Sequence, residues 1–317
     1  MGGCSGPDPA VGWAPAFDAT DTGWLLNVWG PSGDDLRAVG GDPDRGCVVH
    51  YDGTSWDVEP MGLDVPLLNW THGFASGETF VVGNRGTVIE LGPEGWRQHG
   101  GVPTDQDLWG VWGAAPDDLW AVGGNGRAEG QATILRYDGA SWRTVEVPAL
   151  MRARVWAFFK VWGTASDDLW IVGQRGAVLH WDGSELIEHL VGASDDLISV
   201  WGTGPDRVAV VGGRGNAVVA TFAGNGWTSR TLAPLPGLNG VWMRDPDVLH
   251  VAGIEGTLAS VDFETLAYTE EPSGTRQTFH SVFGDDRGRL TAVGGSLASP
   301  VAPFEGVAYA RALGEGE

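Results

Sequence analysis

Lysine, cysteine and methionine are scarce in this chain of 317 residues. It has one lysine, Lys160, four methionines and two cysteines, Cys4 and Cys47. Two cysteines cannot build a disulfide framework or a zinc cluster, although one bridge between them stays open. No apolar run approaches the roughly 18 residues that a membrane-spanning helix needs. The sequence therefore excludes a disulfide scaffold, a cysteine-based metal cluster and a transmembrane segment.

Positive charge is also scarce. Lys and Arg number 19 against 41 Asp and Glu, which gives a net charge of -22. Such a balance repels phosphate backbones, so we expect no nucleic-acid partner. Two explanations of the acidity stay open: surface carboxylates that keep the protein soluble, or a role with a metal. The seven histidines show no HxH or HxxxH spacing, and we predict neither a metal site nor a cofactor.

Glycine and tryptophan, by contrast, are abundant, with 51 and 17 residues. Glycine serves tight turns, and tryptophan is a bulky residue that packs well on strands. Together with the scarcity of Met and Lys, this composition predicts an all-β protein with many short turns.

The sequence contains seven copies of one unit. Four are close to one another: LNVWGPSGDDLRAVGG (26–41), LWGVWGAAPDDLWAVGG (108–124), FFKVWGTASDDLWIVGQ (158–174) and LISVWGTGPDRVAVVGG (197–213). Three weaker copies begin at residues 68, 238 and 279. The residue that ends the VWG motif, here called the marker, recurs every 39 to 50 residues: Gly30, Gly73, Gly113, Gly163, Gly202, Met243 and Gly284. A period of this length indicates a repeat architecture.

Each unit predicts four strands, A to D. Strand A ends in VWG, strand B is the DDLWAVG segment, strand C is a segment such as TVIEL, and strand D opens with Trp. Strand B is almost entirely apolar, as expected when both faces of a sheet are covered. Four-stranded sheets that stack around a common axis form a β-propeller. We therefore predict a single seven-bladed propeller over residues 12–313.

The last unit lacks a strand D, and the start of the chain supplies one. The final segment EGVAYARALGEGE (305–317) matches a C strand and then stops. The segment VGWAPAF (11–17) matches a D strand, with Trp13 in the slot held by Trp56, Trp96, Trp142 and Trp227. We expect the first residues to pair with the last, because closure leaves no open sheet edge. Residues 1–11 are then a flexible tether and residues 314–317 a tail.

The unit VWG…DDLWAVG…YDGxSW resembles secreted propeller repeats of the myxobacterial type. It is more distantly similar to the Kelch, Asp-box and photosystem II assembly factor propellers. The resemblance covers residues 12–313 and implies the propeller fold. It implies no single function, because that broad group includes lectin-like, scaffolding and enzymatic members.

The start MGGCSG resembles the end of a bacterial lipoprotein signal, in which small residues precede the lipid-bearing cysteine. An apolar stretch normally precedes such a site, and this sequence has none before Cys4. Either the signal was removed, or Cys4 is an ordinary tail residue. The first interpretation predicts a lipid anchor at Cys4. We expect an extracytoplasmic protein, in the periplasm or at the cell surface.

Departures from the repeat fall on one face of the predicted disc. In each blade the D–A and B–C connections share one face, and the A–B and C–D turns share the other. The long insertions at 123–131, 147–159 and 295–306 all lie in D–A or B–C connections. Three tryptophans outside the repeat slots precede their A strands on this face: Trp24, Trp109 and Trp156.

Four arginines share one position of the predicted B–C turn, in the motifs DRG, NRG, QRG and GRG: Arg45, Arg85, Arg175 and Arg214. Glu255 and Glu305 replace them in units six and seven. One interpretation is a solvated turn residue before a glycine of positive φ. The other is an arc that recognises an anion, since guanidinium groups bind carboxylate or phosphate at two points.

These three tryptophans and four arginines are the candidate ligand-binding residues, and three functions stay open. The first is a monomeric, non-enzymatic recognition or scaffold propeller that binds a partner protein or a glycan on the D–A/B–C face. The second is a lyase or hydrolase at the channel mouth, with Lys160, His72 and His280 of the A strands as acid or base. The third is a structural module without a ligand.

Overall fold

A computed structural model describes residues 12–126, 130–152, 154–297 and 301–313, which form seven four-stranded antiparallel sheets. The predicted seven-bladed propeller is confirmed. Cys4, the tether 1–11 and the tail 314–317 lie outside the described residues, so the anchor and the domain ends stay predictions. No helix in the described ranges is long and apolar enough to cross a membrane.

The first strand of the chain, β1 (Ala14–Pro15), belongs to blade seven, and blade one follows it. The strands of blades one to three are, in the order A to D, β2 (Trp24–Ser32), β3 (Asp35–Gly41), β4 (Gly46–Tyr51) and β5 (Trp56–Val58); β6 (Leu68–Gly73), β7 (Thr79–Gly83), β8 (Val88–Gly92) and β9 (Gly95–Gln98); β10 (Leu108–Ala115), β11 (Asp118–Gly123), β12 (Thr133–Tyr137) and β13 (Trp142–Thr144).

Blades four to seven continue the same order. Their strands are β14 (Phe158–Ala165), β15 (Asp168–Gly173), β16 (Val178–Trp181) and β17 (Leu186–Glu188); β18 (Leu197–Gly204), β19 (Arg207–Gly212), β20 (Asn216–Phe222) and β21 (Trp227–Pro236); β22 (Leu238–Trp242), β23 (Val248–Gly253), β24 (Leu258–Asp262) and β25 (Tyr268–Glu270); β26 (Phe279–Gly284), β27 (Arg289–Gly295) and β28 (Gly306–Ala312). Short 3-10 helices lie in connections at Thr20–Thr22, Asn84–Gly86, Gln174–Gly176 and Ile254–Gly256.

The VWG motif is explained by the contact between neighbouring A strands. The Trp ring of one blade lies over the marker glycine of the next: Trp29 on Gly73, Trp162 on Gly202 and Trp242 on Gly284. A Cβ atom at these glycines would overlap the ring. At these three markers the preceding blade fills space that a side chain would need, whereas at Gly30, Gly113 and Gly163 strand B of the same blade fills it.

His72 takes the Trp slot of blade two. Its ring packs beside Trp112, and its Nε2 lies 3.0 Å from the carbonyl oxygen of the next marker, Gly113. Trp201 donates to the carbonyl oxygen of its own next marker, Met243, in the same way. Burial lowers the pKa of His72 to about 4. The structure thus gives His72 the packing role expected of a residue in this slot.

The N-terminal strand closes the ring as predicted. β1 pairs with β28 through Ala14 and Ala310, and so completes blade seven. Trp13 Nε1 donates to Glu271 Oε2 of blade six at 2.7 Å. The same bond to the preceding blade recurs elsewhere: Trp96 to Glu59, Trp142 to His99 and Trp227 to His189. The closing strand therefore uses the interblade contact of an ordinary D strand.

Candidate functional site

A cavity of about 280 Å³ opens at the channel mouth on the D–A/B–C face. Its wall is built by the residue four positions before the marker in each of the seven blades. These mouth residues are Leu26, Asn69, Trp109, Phe159, Ile198, Asn239 and His280. Gly126, Arg214 and Leu297 of the B–C connections lie at its rim. One repeat position, structurally equivalent in all seven blades and occupied by six different residue types, thus defines the cavity.

Lys160 forms the floor of this cavity. Gly110, at the equivalent position of blade three, leaves room for it, because a Cβ there would lie 2.9 Å from the Lys160 Cα. Lys160 Nζ donates to the Trp109 carbonyl oxygen at 2.6 Å and lies 4.1 Å from the centre of the Trp70 ring. Beyond it the channel narrows to a space of about 30 Å³, which is lined by the residues one to three positions before the markers of the A strands.

Burial sets the charge states in the cavity. Desolvation lowers the pKa of Lys160 to about 7, because a low-dielectric environment disfavours the ammonium form. Desolvation also lowers the pKa of His280 to about 4, against the opposing effect of its hydrogen bond to the Gly295 carbonyl. The positive charges of Lys160 and Arg214 lower it further. Near neutral pH, His280 is therefore uncharged while Lys160 titrates.

Two of the seven predicted site residues, Trp109 and Arg214, line the cavity. Trp109 Nε1 donates to the Gly124 carbonyl oxygen at 2.8 Å, which fixes the indole at the wall. Arg214 Nε donates to Asp196 Oδ2 at 3.0 Å, and its guanidinium carbon lies 5.5 Å from the Phe159 ring centre.

The other three arginines are exposed outside the cavity lining. Arg45 Nε lies 3.6 Å from Asp42 Oδ2, and Arg85 Nη2 lies 2.6 Å from Asp44 Oδ1. The main-chain N–H of Arg175 donates to Asp196 at 3.0 Å. Only two of the four arginines share a turn conformation in the described residues. Arg85 and Arg175 occupy 3-10 turns at φ 57° and 59°, and Glu255 occupies the same kind of turn at φ 57°. Arg45 and Arg214 also lie in B–C connections but in turns of other shapes, so the four arginines do not share one turn conformation.

The two remaining tryptophans differ in burial. Trp24 is only 6% exposed, and its ring lies edge-on to Phe304 at 4.8 Å between ring centres. Trp24 therefore presents no exposed ring, because Phe304 of the B–C connection of blade seven packs against it. Trp156 is half-buried, and its main-chain N–H donates to Gln174 Oε1 at 2.8 Å.

Sequence reasoning missed most of the mouth residues and gave Lys160 and His280 only an acid–base role. The missed residues are Leu26, Asn69, Phe159, Ile198 and Asn239. Asn69 Oδ1 is buried and accepts no hydrogen bond from the described residues. Counting back four residues from each marker would have found all seven mouth residues.

Comparison with known protein families and with curated proteins finds no match. Solved structures do match. The structure of YCF48 bound to D1 peptide is 15% identical, with a TM-score of 0.70 over 97% of this chain and 99% of that one. YCF48 from Cyanidioschyzon merolae is 12% identical, with a TM-score of 0.70 over 95% and 99%. The WD40 β-propeller domain of Doa1 is 9% identical, with a TM-score of 0.68 over 95% and 97%. The chain is therefore a seven-bladed β-propeller similar in fold to YCF48 and to WD40 propellers.

Proposed function

We propose that this chain is a non-enzymatic recognition module that binds a segment of a partner protein on the D–A/B–C face. The observation that carries the proposal is the convergence of one residue from every blade on a single cavity at the channel mouth. The described parts of the three long insertions border the same face. A concave site with aromatic walls and a few polar groups is the usual form of a binding site.

The chemistry of the cavity favours a protein partner over the alternatives. Trp and Arg are the residues that most often dominate protein interfaces, and Trp109 and Arg214 both line this cavity. A propeller of similar fold, YCF48, has been seen with a bound peptide. A glycan needs exposed aromatic faces, and the burial of Trp24 removes one of the three predicted.

The enzymatic alternative has less support. Lys160 and His280 both line the cavity, but His72 lines the narrower space of about 30 Å³ beyond it. His280 already bonds to the Gly295 carbonyl, and none of the described cavity-lining residues is Asp or Glu. Lys160 and His280 each bond to a main-chain carbonyl oxygen instead of to one another, so the described part of the cavity shows no hydrogen-bonded nucleophile–base pair.

The test is a comparison of variants on the two faces. The partner is identified by cross-linking in a host extract, purified, and titrated against each variant. Replacing Trp109 and Arg214 together by Ala should weaken binding at least about tenfold, because losing a charge-assisted hydrogen bond alone costs ~1.5–3 kcal/mol. Replacing Arg45, Arg85 and Arg175 by Ala tests the outer arc separately.

The matched control is the pair Asp117→Asn and Asp167→Asn, two exposed residues of A–B turns on the opposite face. This pair should leave the affinity unchanged, and exposed substitutions should each change the free energy of unfolding by less than about 0.5 kcal/mol. Equal losses of affinity from both faces, or no loss from either, would contradict the proposal.

A further inference from the structure

The cavity concentrates positive charge in an acidic protein. The chain has a net charge of -22 and one lysine, and that lysine is the cavity floor. Arg214 lies at the rim, and the only other titratable side chain among the described lining residues is His280. The carboxylate that pairs with Arg214, Asp196, is not part of the lining. The described wall of the cavity thus offers cations without a carboxylate.

Lys160 has no counter-ion among the described residues. Its Nζ has one carbonyl acceptor, Trp109, and one aromatic face, Trp70. Desolvation is the sole cause of its pKa shift, so no neighbouring carboxylate stabilises the ammonium group. An ammonium carries three donors and is costly to bury unpaired. An anion that entered the cavity would supply the missing partner where the local dielectric strengthens the attraction.

The rest of the lining is apolar. Leu26, Trp109, Phe159, Ile198 and Leu297 surround the space above the ammonium group. A volume of about 280 Å³ falls near the lower end of the roughly 300–1,000 Å³ of ordinary ligand pockets. It therefore suits one apolar group with a single charged end.

We propose that the channel-mouth cavity binds the carboxylate of an apolar ligand on Lys160, with the aromatic and aliphatic wall holding the apolar part. The carboxylate belongs either to a small free acid or to the C-terminal residue of a protein chain. The inference rests on the proposed function in that it gives this recognition face its ligand chemistry. Arg214 at the rim attracts the same group, and the uncharged His280 does not compete for it.

The test is calorimetric titration of the full chain with matched probes. The acid probe is 3-phenylpropionate, and its control is 3-phenylpropanamide, which has the same shape without the charge. At about pH 6 the acid should bind at least about tenfold more tightly than the amide. Above pH 7 this preference should decline, because Lys160 loses its proton while His280 stays neutral.

Lys160→Met should remove most of the preference for the acid while the amide still binds. Arg230→Ala removes one positive charge from an exposed position of the outer strand β21 and should leave the preference intact. A pentapeptide ending in Phe, with a free or an amidated C-terminus, distinguishes the two sources. If the peptide with a free C-terminus binds more tightly than 3-phenylpropionate, the site is assigned to a chain end. If 3-phenylpropionate binds more tightly than that peptide, the site is assigned to a small acid.

Equal affinities for acid and amide in the unmodified chain overturn the inference, and this comparison does not depend on the folding of any variant. Absence of binding by every probe, or an unchanged preference in Lys160→Met, overturns it as well. The two proposals fail separately. If the probes show no preference but Trp109 and Arg214 still control partner binding, only the carboxylate inference is lost. If the preference holds but neither face affects partner binding, only the proposed function is lost.

Discussion

At the residue scale, the single lysine of the chain is buried at a position where it contributes little to the stability of the fold. Lys160 is 8% exposed and contacts a carbonyl oxygen and an indole face. These contacts leave the pKa near 7, far below the ordinary value of a lysine. A buried group whose charge is poorly compensated costs stability, and such groups concentrate at functional sites.

Lys160→Met should therefore stabilise the protein in a pH-dependent way. Between pH 7 and about 10.4 the unfolded chain binds a proton at Lys160 that the native state does not, so native stability rises with pH over this range. The variant lacks this dependence. Its advantage in free energy of unfolding should be largest below pH 7, up to about 5 kcal/mol, and should shrink toward pH 10.

The measurement is denaturant unfolding of both proteins at several pH values, with Arg230→Ala as a control that keeps the native profile. Parallel pH profiles for Lys160→Met and the unmodified chain would show that Lys160 is protonated in the native state throughout this range.

At the scale of the strand and the blade, stability depends on how each A strand fits the next. A Cβ at Gly202 would overlap both the Trp162 ring of the preceding blade and the Arg207 carbonyl oxygen of its own blade, and a packed core accommodates added atoms poorly. Gly202→Ala should cost about 1–3 kcal/mol of unfolding free energy. Gly204→Ala is the matched control, because a Cβ at Gly204, in the same strand, has no atom within 4 Å. Thermal or denaturant melts of both variants measure the difference, and equal melting would contradict the interblade role of the marker glycine.

The same scale explains what the sequence could predict. Blade number, strand order and the packing slots repeat seven times, so each copy supports the others, and the structure confirms the fold. The role of the mouth residues could not be predicted in this way, because their position repeats while their residue type varies. Asn69, Phe159 and His280, for example, share no sequence motif. The burial of Trp24 depends on Phe304, a contact between the two ends of the chain that no local motif encodes.

At the scale of the whole molecule, the ring depends on its first strand. β1 pairs with β28 and Trp13 bonds to Glu271, so blade seven is incomplete without them. Removing residues 1–20 should expose a strand edge and cause aggregation or a large drop in melting temperature. Removing residues 1–11 alone keeps β1 and is the control. Light scattering and thermal melts compare the two truncations, and a 1–20 deletion that melts like the full chain would contradict closure by β1.

The closed ring also determines on which face of the disc the chain enters and leaves the propeller. β28 ends at Ala312 and β1 begins at Ala14, and the two strands are antiparallel neighbours in one sheet. Because C strands run from the B–C connections to the opposite face, the chain enters β1 and leaves β28 on the side away from Lys160. The outer ends of β1 and β28 therefore both lie on the face of the disc opposite the channel mouth.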